Sequence, residues 1–499
     1  MTATGLPETN EEAWALAGRW GASRYMTPFE ALMWRVEADP RLRSTMTVVY
    51  LLDRAPDWDR LVAAHEWASR LIPRVRQRVV EPTLGLGMPT WVTDDQFDLA
   101  FHVRRVRLPE PGTVRQLLDL VAGDAMASFD RSRPPWRASI VEGLGDGRTA
   151  YVLKLHHSIT DGQGGTQLVG LLHSRKRDPS PDKPFPDLPD VEHASSMGVL
   201  LEQVAGGIRS APGGVLRRTA GALSTARETL EHPFDGLAGS TRFARSLQRI
   251  LAPPPAPPSP LLAQRSRSWR FDALDVPMAE LKAAGKAAGG SLNDAYIAAL
   301  LGGFRRYHER LGEPIEELAM AMPISLRRGD HPMGGNRFAG ARFAAPVGEP
   351  DPAERIRLVH DFVVTAREEP ALDVFGLLAP ALNRLPMPLV ARAYATQTTK
   401  LDLQASNVAG LPYEAYIAGA RIERMLPFGP LPGCAVMATL LSYAGTCCIG
   451  LNTDPAAVTD PAAFMACLEE GVEEVVGLAL GRRDGDPESA RGGRLTAPA

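Results

Sequence analysis

The sequence Tyr151-Val-Leu-Lys-Leu-His156-His157-Ser-Ile-Thr-Asp161-Gly162-Gln-Gly-Gly165 passes from an apolar run through two adjacent histidines into a glycine-rich segment. Residues 149–155 are rich in β-branched and aromatic side chains, which predicts a short strand buried on both faces. Residues 166–173 carry leucines at helical spacing, so the glycines are expected to lie in a turn between a strand and a helix. The sequence therefore predicts a histidine at the end of a buried strand.

The two histidines are expected to have different roles. Successive side chains of a strand point to opposite faces, so His156 and His157 cannot both face one cavity if the strand continues through them. One is then structural and the other is available to react. The same divergence, with no third His or Cys nearby at ligand spacing, argues against a metal site. The alternative is an ordinary core histidine followed by an ordinary Asp161-Gly162 turn.

The bulk composition limits the class of protein. At 499 residues the chain exceeds what one hydrophobic core usually supports, so two domains are expected, and 44% hydrophobic residues are enough to form their cores. The 55 basic and 58 acidic residues give a formal charge of -3. Because no strong positive field results, nucleic acid is not an expected partner.

The sequence indicates a cytoplasmic protein without a membrane span. Its four cysteines form no CxxC pair, which suits neither a zinc site nor a disulfide framework, and the N-terminus lacks the pattern of a signal peptide. The charge-free segment between Arg424 and Asp454 exceeds the ~20 residues that cross a bilayer. Prolines and glycines interrupt it, however, and residues 436–443 and 446–451 are predicted to form a buried hairpin.

The order of predicted elements indicates an α+β protein with two halves and a connector. We predict an N-terminal half over residues 1–180, a helical and proline-rich connector over 181–268, a C-terminal half over 269–482 and a disordered tail over 483–499. Between Ser195 and Ile250 the connector has seven Arg against four Asp plus Glu. Such a basic amphipathic segment can lie on an anionic membrane surface, and the alternative is a solvated face.

Several sequence blocks resemble one known family. His156-His157-Ser-Ile-Thr-Asp161-Gly162 matches HHxxxDG, the signature of the acyltransferase superfamily that includes chloramphenicol acetyltransferase and peptide-synthetase condensation domains. Residues 24–480 are similar to the bacterial wax ester synthase/diacylglycerol acyltransferase family within it. The further matching blocks are Met26–Ala31, Pro73–Arg78, Phe97–Val103, Asp130–Trp136, Leu292–Asp294, Gly335–Arg337, Ser406–Val408 and Pro427–Pro430.

The resemblance implies a fold, a reaction and a base. The fold is two chloramphenicol-acetyltransferase-like α/β sandwich halves with a central tunnel at their interface. The reaction is acyl-CoA-dependent O-acylation of diacylglycerol or a long-chain fatty alcohol, which gives triacylglycerol or wax ester. His157 is the general base, since a neutral imidazole with a pKa near ~6.5 can take the hydroxyl proton and return it to the thiolate. The chain lacks a Gly-x-Ser-x-Gly elbow, which agrees with direct transfer without an acyl-enzyme.

The remaining site residues follow from the same resemblance. His156 supports the base, while Asp161 and Gly162 are structural, and Asp161 is expected to brace the turn through Arg137 or Arg327. Asn293 is assigned to the oxyanion or to supporting the base, although it or Ser291 can simply cap a helix. The predicted substrate-binding residues are Trp136, Gly164, Gly165, Asp294, Ser406 and Asn407. No bound cofactor or metal is expected, and acyl-CoA is a co-substrate.

Two departures from the family pattern affect the expected acceptor. Pro135 replaces a leucine of the Pro-Leu-Trp block, and Ala409-Gly410-Leu411 replaces the usual Pro-Gly-Pro. Two other functions stay open: carrier-protein-dependent condensation, and non-catalytic lipid binding. The expected partners are acyl-CoA and the acceptor, together with a peripheral membrane or lipid-droplet surface.

Overall fold

A computed structural model describes most of the chain. It covers residues 23–85, 87–178, 193–205, 256–325, 338–367 and 387–481, together with residues 9, 11, 12, 15, 20, 186, 187, 336, 379, 382 and 383. The helices are α1 Pro28–Val36, α2 Trp58–Leu71, α3 Leu99–His102, α4 Val114–Met126, α5 Gly162–Gly170, α6 Met278–Ala287, α7 Leu292–Arg310, α8 Pro352–Arg367, α9 Met387–Thr398 and α10 Pro461–Gly477.

The strands form two large sheets and one small sheet. The first sheet has the order β11-β12-β1-β6-β5-β4, the second has β7-β14-β13-β10-β8-β9, and β2 pairs with β3. The strands are β1 Thr45–Leu52, β2 Gln77–Val80, β3 Thr90–Thr93, β4 Val103–Arg107, β5 Trp136–Glu142, β6 Thr149–His156, β7 Arg270–Pro277, β8 Leu318–Ser325, β9 Phe338–Ala345, β10 Leu403–Leu411, β11 Tyr416–Ile417, β12 Ala420–Phe428, β13 Val436–Tyr443 and β14 Thr446–Thr453. The predicted α+β class is confirmed.

The predicted C-terminal half contributes a segment of chain to the first sheet. Strand β12 comes from the predicted C-terminal half but pairs with β1 in the first sheet, with Thr47 opposite Phe428. The chain then returns to the second sheet, where β13 and β14 form the predicted hairpin. The first sheet therefore contains residues from both predicted halves, which the order of elements along the chain does not indicate.

Strand β6 is the centre of the first sheet. Every residue of β6 is buried, as its composition predicts. Its one basic residue, Lys154, donates hydrogen bonds to the carbonyl oxygens of Asp124 and Ala127 at 2.5 and 2.9 Å. Burial lowers the pKa of Lys154 to about 8. Because β6 is hydrogen-bonded to both β1 and β5, the position of the histidines at its end is rigidly fixed.

Helix α5 begins earlier than the sequence indicated. The glycines were expected in a turn before the helix, but α5 starts at Gly162 and contains Gly164 and Gly165 in its first turn. The cause is a cap, because the Asp161 carboxylate accepts a hydrogen bond from Gly164 N at 3.0 Å.

The connector and the tail are only partly described. Residues 196–205 of the connector are helical, whereas residues 206–255 and the predicted tail over 483–499 lie outside the described residues. No helix in the described ranges is long and apolar enough to cross a membrane. All four cysteines are buried.

Candidate active site

His157 lies on the wall of a cavity between the two large sheets. The cavity contains about 850 Å³ of space between atoms, including its opening. Its walls come from β1, β6 and β12 of the first sheet, with α5, and from β10 and β13 of the second sheet. Most of the lining residues are apolar, including Leu153, Leu155, Val169, Met425 and Leu441. A mainly apolar cavity with a histidine on its wall suits a substrate with long hydrocarbon chains.

His156 packs behind the cavity wall. Its side chain is fully buried, and its ring meets Trp34 edge-on with centroids 5.0 Å apart. Its Nδ1 lies 2.7 Å from Ser158 Oγ, and its Nε2 lies 3.5 Å from a Glu37 carboxylate oxygen. Burial lowers the pKa of His156 to about 4, so the ring is neutral near pH 7. His156 is thus placed to hold the turn, as the divergence of strand side chains indicated.

Asn336 fixes the tautomer of His157. The Asn336 amide nitrogen Nδ2 donates to the His157 carbonyl oxygen at 2.7 Å, so its Oδ1 is the atom that faces the ring, at 2.7 Å from Nδ1. An amide oxygen only accepts, and Nδ1 must therefore carry the proton. In the neutral ring the basic lone pair is then on Nε2. Glu30 holds Asn336 in turn, accepting from its backbone N–H at 3.2 Å.

The surroundings of His157 favour its neutral form. The pKa of His157 is lowered from its ordinary value of 6.5, chiefly by burial, while the Asp161 carboxylate and the bond to Asn336 act in the opposite direction. A neutral imidazole with a defined lone pair is the form that a general base requires.

Asp161 and Gly162 hold the start of α5 against β10. Asp161 caps the helix, and a β-carbon on Gly162 would lie 2.8 Å from Val408 Cγ2, so the helix approaches the strand more closely than a side chain allows. Of the arginines expected to brace Asp161, Arg137 pairs with Asp124 at 3.1 Å. Arg327 lies outside the described residues.

Two of the predicted substrate-binding residues line the cavity. Ser406 and Gly165 are part of its wall, and Ser406 lies beside Thr439 in the parallel pair β10–β13. The Thr439 hydroxyl is buried without a hydrogen-bond partner among the described residues. Gly164 donates its N–H to Asp161. Ser406 and Thr439 are therefore the hydroxyl-bearing residues that β10 and β13 contribute to the cavity wall.

The other predicted site residues lie outside this cavity lining. Asn293 accepts a hydrogen bond from Asn407 Nδ2 at 3.3 Å, and its own amide nitrogen lies 3.7 Å from Met322 Sδ. Asp294 belongs to the capping box of α7 with Ser291, which is the capping alternative considered above. Trp136 lines a separate small cavity and donates its indole N–H to Val75 O. Roles for these residues in binding stay predictions.

Sequence reasoning missed Asn336 and Glu30 as site residues. Asn336 is 179 residues from His157, and Glu30 appears in the sequence as part of a helix-capping box with Thr27. Asn336 belongs to the Gly335–Arg337 block. That block matched the family in sequence, but the match did not indicate a role for Asn336.

Both departures from the family pattern lie next to the site. Pro135 O accepts the backbone N–H of His156 at 3.0 Å. Gly410 and Leu411 line the cavity, and Gly410 packs so closely on β13 that a β-carbon would meet the Ser442 carbonyl. No group of three His, Cys, Asp or Glu that could hold a metal occurs within the described ranges.

Comparisons with known proteins cover nearly the whole chain. The wax ester synthase/diacylglycerol acyltransferase catalytic domain matches residues 23–296, and the C-terminal domain of the same family matches residues 334–475. A Mycobacterium tuberculosis protein provisionally named a diacylglycerol O-acyltransferase is 43% identical over 458 residues, which are 91% of this chain and 92% of that protein.

Two solved structures show the same fold. The wax ester synthase/diacylglycerol acyltransferase from Marinobacter aquaeolei VT8 has a TM-score of 0.59 and 22% identity, and the match covers 92% of this chain and 100% of that one. The starter condensation domain of rhizomide synthetase, in complex with C8-CoA, has a TM-score of 0.54 and 12% identity, and the match covers 91% and 94%. At these identities the two structures establish the fold alone.

Proposed function

The chain belongs to the wax ester synthase/diacylglycerol acyltransferase family, and on that premise we propose that it transfers a long-chain acyl group from acyl-CoA to diacylglycerol or a fatty alcohol, with His157 as general base. The observation that carries the proposal is the pair of hydrogen bonds between His157 and Asn336 at the wall of an apolar cavity. They leave the basic lone pair of the neutral ring on Nε2.

The proposed reaction is one direct displacement. Nε2 of His157 accepts the proton of the acceptor hydroxyl while the oxygen attacks the thioester carbonyl carbon. The tetrahedral intermediate collapses, the C–S bond breaks, and the imidazolium returns its proton to the departing CoA sulfur. The products are an ester and CoA thiol, and no acyl group is attached to the protein at any stage.

The cavity supports a lipid acceptor and a lipid donor. Its walls are formed by both sheets, so two chains entering from different sides would meet at His157, as in the tunnel that the family resemblance implies. Elsewhere in the chain, helical residues 196–205 expose Met197, Leu201 and Val204 at half or more of their surface. This apolar face, followed by the basic connector, supports peripheral contact with a membrane or droplet surface as part of the proposal.

An assay for CoA thiol tests the function directly. Purified protein with palmitoyl-CoA and either hexadecanol or dioleoylglycerol should release thiol. His157→Ala should reduce turnover by about 100- to 10,000-fold, because a base acts only in the transition state, and should leave acyl-CoA affinity nearly unchanged. His193→Ala is the matched control, since His193 is 82% exposed and lies outside the cavity lining.

Two results would refute the proposal. One is thiol release no higher than background across a panel of alcohols. The other is activity with an acyl group on a carrier-protein phosphopantetheine but none with acyl-CoA, which would make the chain a condensation-type enzyme. A protein that retains lipid in native mass spectra without transferring it would be a lipid-binding relative.

A further inference from the structure

A second histidine lines the same cavity and has no role in the proposed reaction. His173 follows the end of α5, and only 4% of its surface is exposed. Neither of its ring nitrogens has a hydrogen-bond partner among the described residues. Its ring lies against that of Tyr50, with centroids 5.3 Å apart.

An imidazole in this setting is prepared to bind a polar ligand group. Burial lowers the pKa of His173 to about 3, so the ring is neutral, with one N–H donor and one nitrogen acceptor. Buried polar atoms in native proteins are nearly always hydrogen-bonded, because leaving them unpaired loses their solvation without compensation. The position would otherwise suit an aromatic or aliphatic side chain, as at most positions of the cavity wall. A ligand bound in the cavity is therefore expected to supply the hydrogen-bond partner that the His173 ring lacks.

The strand register gives the distance between the two histidines. In the β1–β6 pair, Thr45 is opposite His156, and Tyr50, which contacts His173, is opposite Tyr151. Five strand residues at 3.3–3.4 Å each separate Tyr50 from Thr45 by about 17 Å, so His173, which contacts Tyr50, lies roughly that far along the cavity from the His157 turn. One lipid acyl chain spans about 15 Å, half of the ~30 Å hydrocarbon core of a bilayer. A chain that reacts at His157 thus reaches His173 near its far end.

We propose that His173 is a specificity site for an oxygen function, a hydroxyl or a carbonyl, near the distal end of a long aliphatic chain. The inference rests on the proposed function and narrows its substrate class to oxygenated chains. The oxygenated chain can be that of the acyl donor or that of the acceptor, since both have the same chemistry at their distal end.

Equilibrium binding tests the site separately from catalysis. In one arm, calorimetry compares ω-hydroxypalmitoyl-CoA with palmitoyl-CoA; in the other, native mass spectrometry compares ω-hydroxyhexadecanol with hexadecanol in competition. Wild-type protein should prefer the oxygenated ligand about two- to tenfold in at least one arm, the range of one neutral hydrogen bond. His173→Phe should remove that preference, and His173→Gln, which keeps a donor and an acceptor, should retain most of it.

A second variant controls for changes in cavity shape. Met425 is the β12 neighbour of Tyr50 and lines the cavity, so Met425→Leu alters the same wall without altering its polarity. It should leave the preference unchanged. The proposal is overturned if wild-type protein shows no preference in either arm, or if His173→Phe keeps it. Because neither arm requires turnover, absence of acyl transfer would refute the proposed function and leave the binding result standing.

Discussion

Helices α5 and α7 both begin at sequence blocks of the same family, yet only one of them lies at the cavity that His157 lines. At α5, the Asp161 carboxylate caps the helix while the turn before it presents His157 to the cavity. At α7, the polar groups bond to each other: Asp294 accepts from the backbone N–H and the hydroxyl of Ser291 and from His360. Asn293 bonds to Asn407 away from the cavity lining.

The difference shows that two capped helix starts can have different surroundings, one beside a cavity and the other within a network of hydrogen bonds. Both starts have a side-chain cap. Only the α5 start follows a fully buried strand whose last residues must turn toward the second sheet. The expected effects of substitution therefore differ between the two helix starts.

The largest difference in turnover is expected between substitutions of Asn336 and of Asn293. Asn336→Leu removes the acceptor that holds the proton on Nδ1 of His157, so the ring can place its proton on the reactive Nε2. Turnover should fall about 100-fold, toward the lower range of a general-base contribution, with acyl-CoA affinity nearly unchanged. Asn293→Leu should change turnover by less than about threefold. Equal losses for the two variants in the thiol assay would show that the α7 start takes part in the chemistry.

The next difference is between the two capping aspartates. Asp161→Ala should lower both turnover and the free energy of unfolding, the latter by about 0.5–2 kcal/mol for a lost helix cap. Asp161→Asn keeps a capping oxygen and should recover most of the stability. Asp294→Ala should also lower stability, because its carboxylate is buried and holds three donors, but should leave turnover per folded molecule within a few-fold of wild type. Urea unfolding and thiol release on the same preparations separate the two cases.

The smallest expected effect concerns the contact of α5 with β10. Gly162→Ala would place a β-carbon 2.8 Å from Val408 Cγ2, and overpacking of this kind costs about 1–3 kcal/mol, partly offset by the higher helix propensity of alanine. We expect a net loss near 1 kcal/mol and a few-fold lower turnover. Val408→Ala in the same chain should restore both, as a double-mutant cycle would measure. A double variant no better than Gly162→Ala would show that the contact does not position the turn.

The sequence predicts elements whose signal is local. The strand predicted at residues 149–155 and the hairpin predicted at residues 436–443 and 446–451 are present, because composition and flanking residues determine them within one segment. The predicted start of α5 was wrong, because glycines usually indicate a turn. The Asp161 cap and the close contact with Val408 are visible only in three dimensions. The pairing of β12 with β1 is likewise long-range, so the position of β12 in the first sheet could not be predicted.

The residues of the candidate site likewise divide into those that the sequence identifies and those that only the structure reveals. The alternation rule and the family signature together distinguish His157 from His156 without coordinates. The Asn336 contact could not be predicted, because it joins residues 179 positions apart and depends on which amide atom faces the ring. His173 was also missed, since a histidine at helical spacing among leucines gives no sign that both of its nitrogens lack partners.

Protonation of the buried histidines limits the pH range over which the activity of the folded protein can be measured. Burial lowers the pKa of His65, His102 and His156 to about 4. In the unfolded chain these groups bind protons near pH 6.5, so the unfolded state gains protons first and stability falls as the pH drops from about 6.5 toward 4. Circular dichroism at each pH should therefore accompany any activity profile.

The pH dependence of kcat/KM for thiol release tests the role of His157 most directly, because it reports the ionisation of the base in the unliganded enzyme. Because burial lowers the pKa of His157, we expect kcat/KM to be constant at neutral pH and to fall on acidification with a midpoint below 6.5, while the fold stays intact. The residual activity of His157→Ala should lack this acidic limb. A midpoint at or above 6.5, or an acidic limb that persists in His157→Ala, would contradict the assignment of His157 as the neutral base.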